Sequence, residues 1–535
     1  MSRVHGRNPW PALGALCLGL FMILLDTTIV NVAVPSMLTG LHAGIDEILW
    51  VVNIYILAYA VPLVIASRLG DRFGRKRLYL VGLVIFTLAS GLCGMADTAG
   101  PLIVARTLQG IGAALLSPQT LAFITVLFPA DKRGAALGVW SAVAGVSTIA
   151  GPLLGGFIVE RLSWQWIFFV NVPIGVIGLF LILLWVPESR TGLAHRVDPL
   201  GAVLLTGGLF AITFGLLEGS RYDWGTITGG LTIPMLLVGG CVLLAGFVMA
   251  QWRSADPLVP LTLFADRNFT LANVVALAVG FAMVSLLPLM IFLQAILGLS
   301  PLEAGVVTAP ASLTAAAIAP FAGFRADRTG GKYLLIAGLG AFALGIGAAA
   351  VAARPHISSW LVLPAVAVIG VGIGLLFTTM TTVAVGNISP ELSGSASGVF
   401  NTIRQLGQAL GTAAVGALLQ GTLRQELHDE AVRRSIDVPM AYRNAFIKSF
   451  ADVGGGNPFM SAPKAAEAPG AVGARLHQLG TEVFNQGFVS AMRGTLLLPI
   501  GLCLVAAVCC LGITSRRRVQ RVSEQPEPVR AFDPS

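Results

Sequence analysis

The chain has 535 residues, of which 55% are hydrophobic and only 11% charged, and its mean hydropathy is +0.82. Soluble domains carry about 25% charged residues, so this composition excludes a soluble enzyme and points to a chain that crosses a membrane many times. The net charge of +8 is no nucleic-acid footprint, because its placement along the chain matters more than its size.

Apolar segments recur near 11–34, 48–66, 78–96, 101–126, 134–159, 166–186, 199–217, 231–252, 269–293, 303–324, 333–353, 359–382, 396–420 and 494–513, which makes fourteen. The first, WPALGALCLGLFMILLDTTIVNVAVPSM over residues 10–37, is long enough to span a bilayer, for which about 20 residues suffice. It carries a lone carboxylate, Asp26, at a depth where a charge costs at least roughly 2.5–3.5 kcal/mol. Such a group faces a wet cavity, finds a partner or binds a proton. Snorkelling to headgroups is the alternative, against which the short Asp stem argues. Arg3 and Arg7 before this segment mimic a signal peptide, but Asp26 and the lack of a small-residue cleavage pattern favour an uncleaved first span.

Connections are short except 421–493, whose eight basic and seven acidic residues nearly cancel. With the N-terminus inside, cytoplasmic loops and tails hold 21 Lys and Arg, including Arg72, Arg75, Lys76, Arg77, Lys132, Arg133 and Arg516 to Arg518. The short outer loops hold three, Arg161, Arg221 and Arg354. Both termini are therefore expected in the cytoplasm. The six cysteines all fall in apolar runs and read as small apolar residues. No phosphate-binding Gly-rich loop and no metal-ligand spacing of histidines appear, so no cofactor and no enzymatic activity are expected.

An internal repeat sets the architecture. SRLGDRFGRK (67–76) and GFRADRTGGK (323–332) match at Asp71/Asp327, Arg72/Arg328, Gly74/Gly330 and Lys76/Lys332, an offset of 256. The copies follow the second and tenth segments, eight apart where two six-helix repeats would give six. Two extra helices, the seventh and eighth, then lie between the halves. Parallel repeats of this kind are a transporter signature. The expected layout is a six-helix bundle at 1–190, two inserted helices at 191–255, a second six-helix bundle at 256–515 with a long extracytoplasmic loop at 421–493, and a cytoplasmic tail at 516–535.

Several stretches carry polar residues in apolar surroundings. In 67–77, Gly74 permits a tight turn while Asp71 can accept bonds at a helix terminus and Arg75 and Lys76 hold the cytosolic face. A plain topology signal explains the basic residues but not the repeated Asp. RTLQGIG (106–112) puts Arg106 and Gln109 inside the fourth segment. At 1.5 Å per residue, Asp26 lies about 22 Å from one face and Arg106 about 8 Å from the other, the same level in a core of about 30 Å. A salt bridge or a shared cavity follows, and separating the two would let the carboxylate take a proton; a purely structural pair remains the other reading. In GVSTIAGPLLGG (145–156), Gly151 and Pro152 are expected to break the helix ladder, and Gly155 to allow close approach. The thirteenth segment presents Ser397, Asn401, Arg404, Gln408 and Thr412 on one helical face. Arg404 could line a cavity or snorkel. Tyr55 and Tyr59, one turn apart, could offer stacking surface to a flat or cationic compound, or be ordinary interior aromatics.

These stretches, with LDTTIVNVAVP (25–35) and WQWIFFVNVPIG (164–175), resemble the major facilitator superfamily, specifically its 14-spanner drug:proton antiporter branch. Ser67 and Gly70 depart from the usual signature loop, and Ser147 stands where the fifth-span motif prefers glycine. The resemblance implies an all-α membrane protein of the major facilitator fold, two six-helix bundles plus two inserted helices. It further implies proton-coupled export of amphipathic drugs across the cytoplasmic membrane by alternating access. Asp26 and Arg106 would couple protons, while Asp71, Arg72, Gly74, Arg75, Gly151, Pro152 and Gly155 would gate. Tyr55, Tyr59, Gln109, Asn401, Arg404 and Gln408 would border the substrate. The expected partners are small amphipathic substrates, protons and lipids, with no nucleic acid, and the chain is expected as a monomer. Export of an endogenous metabolite, lipid or self-made antibiotic, a passive facilitator and a membrane sensor are the rival readings.

Overall fold

A computed structural model describes residues 8–41, 43, 45–129, 132–188, 198–219, 222–254, 257–386, 388–389, 392–451 and 470–514. The expected boundaries at 190/191 and 255/256 and the tail at 516–535 lie at or beyond these limits. The helices in chain order are α1 (Trp10–Gly40), α2 (Ile45–Ala60), α3 (Leu63–Phe73), α4 (Arg75–Gly94), α5 (Ala99–Leu127), α6 (Arg133–Arg161), α7 (Trp166–Phe169), α8 (Asn171–Trp185) and α9 (Pro199–Glu218). They continue with α10 (Ile233–Arg253), α11 (Arg267–Met283), α12 (Leu286–Ile291), α13 (Pro301–Thr329), α14 (Lys332–Ala352), α15 (Leu363–Val385), α16 (Ser393–Arg434), α17 (Arg443–Ala451) and α18 (Gly470–Cys510). Among the described residues, the strands form one antiparallel pair, Thr226–Thr228 with Leu231–Thr232, which turns the chain between α9 and α10.

Among the described residues, eleven helices are long and apolar enough to cross a membrane, or twelve when α2 and α3, bent by 46°, count as one. The sequence led us to expect fourteen. Helices α6 and α16, with 29 and 42 residues, are long enough to cross but stand outside that number.

Residues between Ala12 and Val186 build three apolar clusters among themselves. The largest cluster gathers residues of α9 to α18, joined from the first part of the chain by Leu57, Val61 and Val64, with Ile54 and Ile65 packed against it. Two packed groups of helices result, α1–α8 and α9–α18, with α9 and α10 joining the larger cluster through Leu205, Leu209 and Phe247. The repeat seen in the sequence recurs as geometry. Gly74 closes α3 with φ 104°, and Gly330 closes α13 with φ 84°, both in the region that favours glycine. Lys76 Nζ donates to Leu183 O at 3.1 Å in the last turn of α8, and Lys332 Nζ donates to Leu511 O at 2.6 Å just past α18. Each copy of the loop therefore lends a cation to the carbonyl end of the last helix in its own group.

The segment expected as a loop at 421–493 is largely helical. α16 runs on to Arg434 and α18 begins at Gly470. Leu419, Leu423, Leu427 and Ala431 recur every fourth residue and pack with Leu476, Leu479, Val483 and Phe488, all buried. This apolar stripe holds two polar-faced helices together where overall composition reads as loop. Arg434 bridges them to Glu482 at 2.9 Å, and Glu430 holds Arg433 at 2.6 Å and Arg434 at 3.1 Å. The bond and charge of Glu430 raise the Arg433 guanidinium above its ordinary value.

Candidate functional site

Asp26 and Arg106 meet. Nη1 of Arg106 donates to Oδ2 of Asp26 at 2.5 Å, and both side chains are at most 1% exposed. Gln109, one turn along α5, closes a triangle: its Nε2 donates to Asp26 Oδ1 at 2.8 Å and its Oε1 accepts from Arg106 Nη1 at 2.8 Å. Arg106 Nε also donates to the carbonyl of Val51 in α2 at 3.3 Å. Its guanidinium carbon lies 4.1 Å from the ring centroid of Tyr55 and 5.6 Å from that of Phe168. A buried charge pair is strongly destabilised when one partner is lost, by about 3–5 kcal/mol. Here the cation would keep an amide oxygen, a main-chain carbonyl and two aromatic faces if the carboxylate were neutralised. The arrangement can therefore hold the ionised pair and tolerate a protonated Asp26.

Tyr55 is interior, with its ring engaged by Arg106, and it stacks beside Tyr59 at 6.3 Å with planes 20° apart. Tyr59 donates its hydroxyl to Ser117 Oγ at 3.0 Å. The pair is thus buried wall, not the open stacking surface that its spacing suggested.

The signature-loop residues separate by role. Asp71 Oδ1 accepts from Arg75 Nε at 3.0 Å and Nη2 at 2.8 Å, and Arg75 Nη1 donates to Ala122 O of α5 at 3.2 Å. Both side chains are buried. The Asp71 carboxylate rests against the first turn of α16: a Cβ on Gly394 would meet its oxygens, and its Cγ at 2.8 Å. One turn further, a Cβ on Gly398 would meet Ser67 Cβ at 2.9 Å and Val64 Cα at 3.2 Å. Gly394 and Gly398 thus form a small-residue seam that lets α3 and α16 touch backbone to backbone. The sequence carries this seam as SGSASG at 393–398, a signal that motif matching passes over. Arg72 is exposed over the ring of its neighbour Phe73 at 5.3 Å and is not brought to this seam. The side chain of Asp327 lies outside the described residues.

On the same end, Arg68 Nε donates to Leu258 O at 2.6 Å and its Nη2 to Pro257 O, clasping the chain that leads from α10 to α11. Gly138 of α6 sits against Pro320 of α13, whose Cα a Cβ would meet at 2.6 Å. The two groups of helices are therefore shut at the end that carries the signature loop. Towards the other end α2 packs along α5, and the polar face of α16 is progressively less covered: Ser397 and Asn401 are buried, Arg404, Gln408 and Thr412 half-buried.

Gly151 and Gly155 bring α6 onto α1. A Cβ on Gly151 would collide with the Thr28 side chain, and one on Gly155 would meet Ile29 Cγ1 at 2.8 Å. The helix over 133–161 continues through residues 151 and 152, and its glycines give close approach to α1. The side chain of Pro152 lies outside the described residues. Ser147, in the place of a motif glycine, is buried and donates to Val143 O at 2.7 Å, which satisfies its hydroxyl within its own helix.

On α16, Asn401 donates to Ser397 O at 2.9 Å, and Arg404 reaches Asn401 Oδ1 only at 3.5 Å while lying 5.7 Å from the Phe377 ring centroid. The Gln408 amide meets no partner among the described residues.

The chain is similar to several known proteins. The multidrug resistance protein Stp of Mycobacterium tuberculosis is 38% identical over 420 residues, 78% of this chain and 77% of its own. The tetracenomycin C resistance and export protein of Streptomyces glaucescens is 32% identical over 530 residues, 98% of this chain and 95% of its own. Among solved structures, the proton:xylose symporter XylE shares the fold at a TM-score of 0.59 and 14% identity, over 95% of this chain and 96% of that one. With the family model matched across residues 16–412, the chain belongs to the Major Facilitator Superfamily.

Proposed function

We propose that this chain exports amphipathic drugs from the cell by proton-coupled alternating access, with Asp26 as the proton-binding group. The observation that carries the reading is the buried Asp26–Arg106–Gln109 triangle, an ion pair whose cation retains partners when the acid is neutralised. Names of the relatives, a multidrug resistance protein and an antibiotic export protein, support drugs as the substrate class. In this reading α6 and α16 complete fourteen spans, α1–α8 and α11–α18 form the two rocking halves, and α9–α10 is the inserted pair. The signature-loop end faces the cytoplasm, as the Lys and Arg distribution indicates. Closure there, with the α16 face uncovering in the other direction, matches an outward-facing state. Inward proton movement supplies about 2.3 kcal/mol per charge per 100 mV of membrane potential, so one or two protons sustain a useful gradient. The working unit is a monomer, and no cofactor is needed.

Everted vesicles provide the test. Adding drug to energised vesicles should release protons through the wild type, not through Asp26→Asn, while Asp26→Glu retains part. Full proton-coupled export by Asp26→Asn sinks the assignment, and export by the wild type without proton movement establishes a passive facilitator instead.

A further inference from the structure

The face of α16 carries a cation that the protein leaves short of an anion. Arg404 lies eleven residues into α16, about 16 Å along its axis at 1.5 Å per residue, and so near mid-membrane. An arginine there costs at least roughly 2.5–3.5 kcal/mol. Arg106 offsets such a cost with Asp26, Gln109 and Val51 O. Arg404 has one hydrogen bond, to Asn401 at 3.5 Å, the long limit for such a bond, and no carboxylate reaches it among the described residues. Snorkelling does not resolve this, because Ser397 and Asn401 between it and the nearer end of α16 are themselves buried.

The surroundings specify what is missing. A guanidinium offers five N–H donors in a planar fork that matches a carboxylate. Gln408, one turn on and on the same face, holds an amide with unspent capacity. Phe377 of α15 lies beside the fork at 5.7 Å. Fork, amide and aromatic ring converge from α15 and α16.

We propose that Arg404 and Gln408 form an anion-recognising subsite, which takes the acidic group of a planar aromatic substrate while its rings lie against Phe377. The proposal rests on the export reading and narrows its substrate class. It also explains why the cation is left half-buried: the substrate's own acid completes the pair, and leaves with it.

The test uses the purified full chain in lipid nanodiscs with two fluorescent acids, anthracene-2-carboxylate and pyrene-1-carboxylate, each beside its methyl ester. The wild type should bind each acid roughly 10-fold or more tighter than its ester, the scale of charge-assisted hydrogen bonds. Arg404→Gln should bring that ratio to within about 2-fold, Arg404→Lys should hold it at an intermediate value, and Gln408→Leu should lower it a few-fold. A merely structural arginine would weaken acid and ester alike and leave the ratio untouched. A wild-type ratio near one, or an unchanged ratio in Arg404→Gln, overturns the subsite. Ethidium efflux from energised vesicles, followed in parallel, separates the two claims. Proton-coupled efflux with a flat ratio removes the subsite and keeps the antiporter; a steep ratio without proton-coupled efflux does the reverse.

Discussion

Gln109 completes a contact that two opposite charges could not close alone. Its amide donates to Asp26 and accepts from Arg106, so it satisfies one bond on each while adding no charge. Leucine at this position would leave two buried charged groups one partner short, at about 1–3 kcal/mol. The balance between the ion pair and a protonated Asp26 would then move off its wild-type setting. Gln109→Leu should therefore insert normally yet lower proton-coupled dye efflux by about 5–150-fold. Gln109→Glu should be worse, because a second carboxylate competes for Arg106. Efflux rates of both variants in the same vesicles check the order; wild-type efflux by Gln109→Leu removes the amide from the coupling site.

At the scale of elements, the contact between α3 and α16 works through absence of side chain. The Asp71 carboxylate, held by Arg75, occupies the space that any Cβ at residue 394 would need. Helix N-termini favour such a negative charge by roughly 0.3–1 kcal/mol or more when partly buried. Asp71→Asn removes the charge from the closed end only, so the equilibrium should move towards the form open at that end. Gly394→Ala should do the same by collision, with Asp71 intact. Both should slow export, while binding from the cytoplasmic side holds or tightens; accessibility of a single introduced cysteine near residue 395 should rise in both. Much weaker binding in Asp71→Asn would deny the latch. The loop motif at 67–77 makes Asp71, Gly74 and Arg75 legible in the sequence alone, because a turn and a repeated acid leave a local pattern. Its partner is not legible there: Gly394 and Gly398 matter through what approaches them from 320 residues away along the chain, and only their four-residue spacing hints at it. The Asp26–Arg106 level can be read by counting rise per residue, whereas Gln109, Val51 O and Phe168 enter by tertiary packing. The helical stretches beyond 420 escape a sequence reading because their apolar stripe pairs with a stripe 50 residues later, which composition averaged over 421–493 conceals.

For the whole molecule, α9 and α10, which the proposed reading makes an inserted pair, pose the remaining mechanical question. The two helices do not share one environment. α10 has most of its surface exposed, but α9 packs on the line where the halves meet. Glu218 at its end accepts from Asn53 Nδ2 of α2 at 2.9 Å, and Phe214 lies 5.6 Å from Trp50. Leu216 packs on Ala409 and Ala413 of α16. At the other end, Gln251 of α10 joins Asp198, which caps α9, to the amide of Val259, and the neighbouring carbonyls 257 and 258 are clasped by Arg68 of α3. So α9 is bonded to α2 at one end and linked through Gln251 and the 257–259 segment to Arg68 of α3 at the other, while its Leu216 meets α16 through apolar side chains. Apolar surfaces slide at little cost, whereas a buried carboxylate that loses its amide partner is destabilised by about 1–3 kcal/mol. The inserted pair should therefore travel with α1–α8 when the halves rock, and α16 should move past it. Joining residues 53 and 218 through a short bifunctional thiol reagent, with cysteine at both, should leave at least half of export. Joining 216 to 409 in the same way should stop it, and cleaving the linker should restore it. If the first link arrests export and the second does not, α9 belongs mechanically to the other half, and Arg68 holds the moving part instead of the resting one.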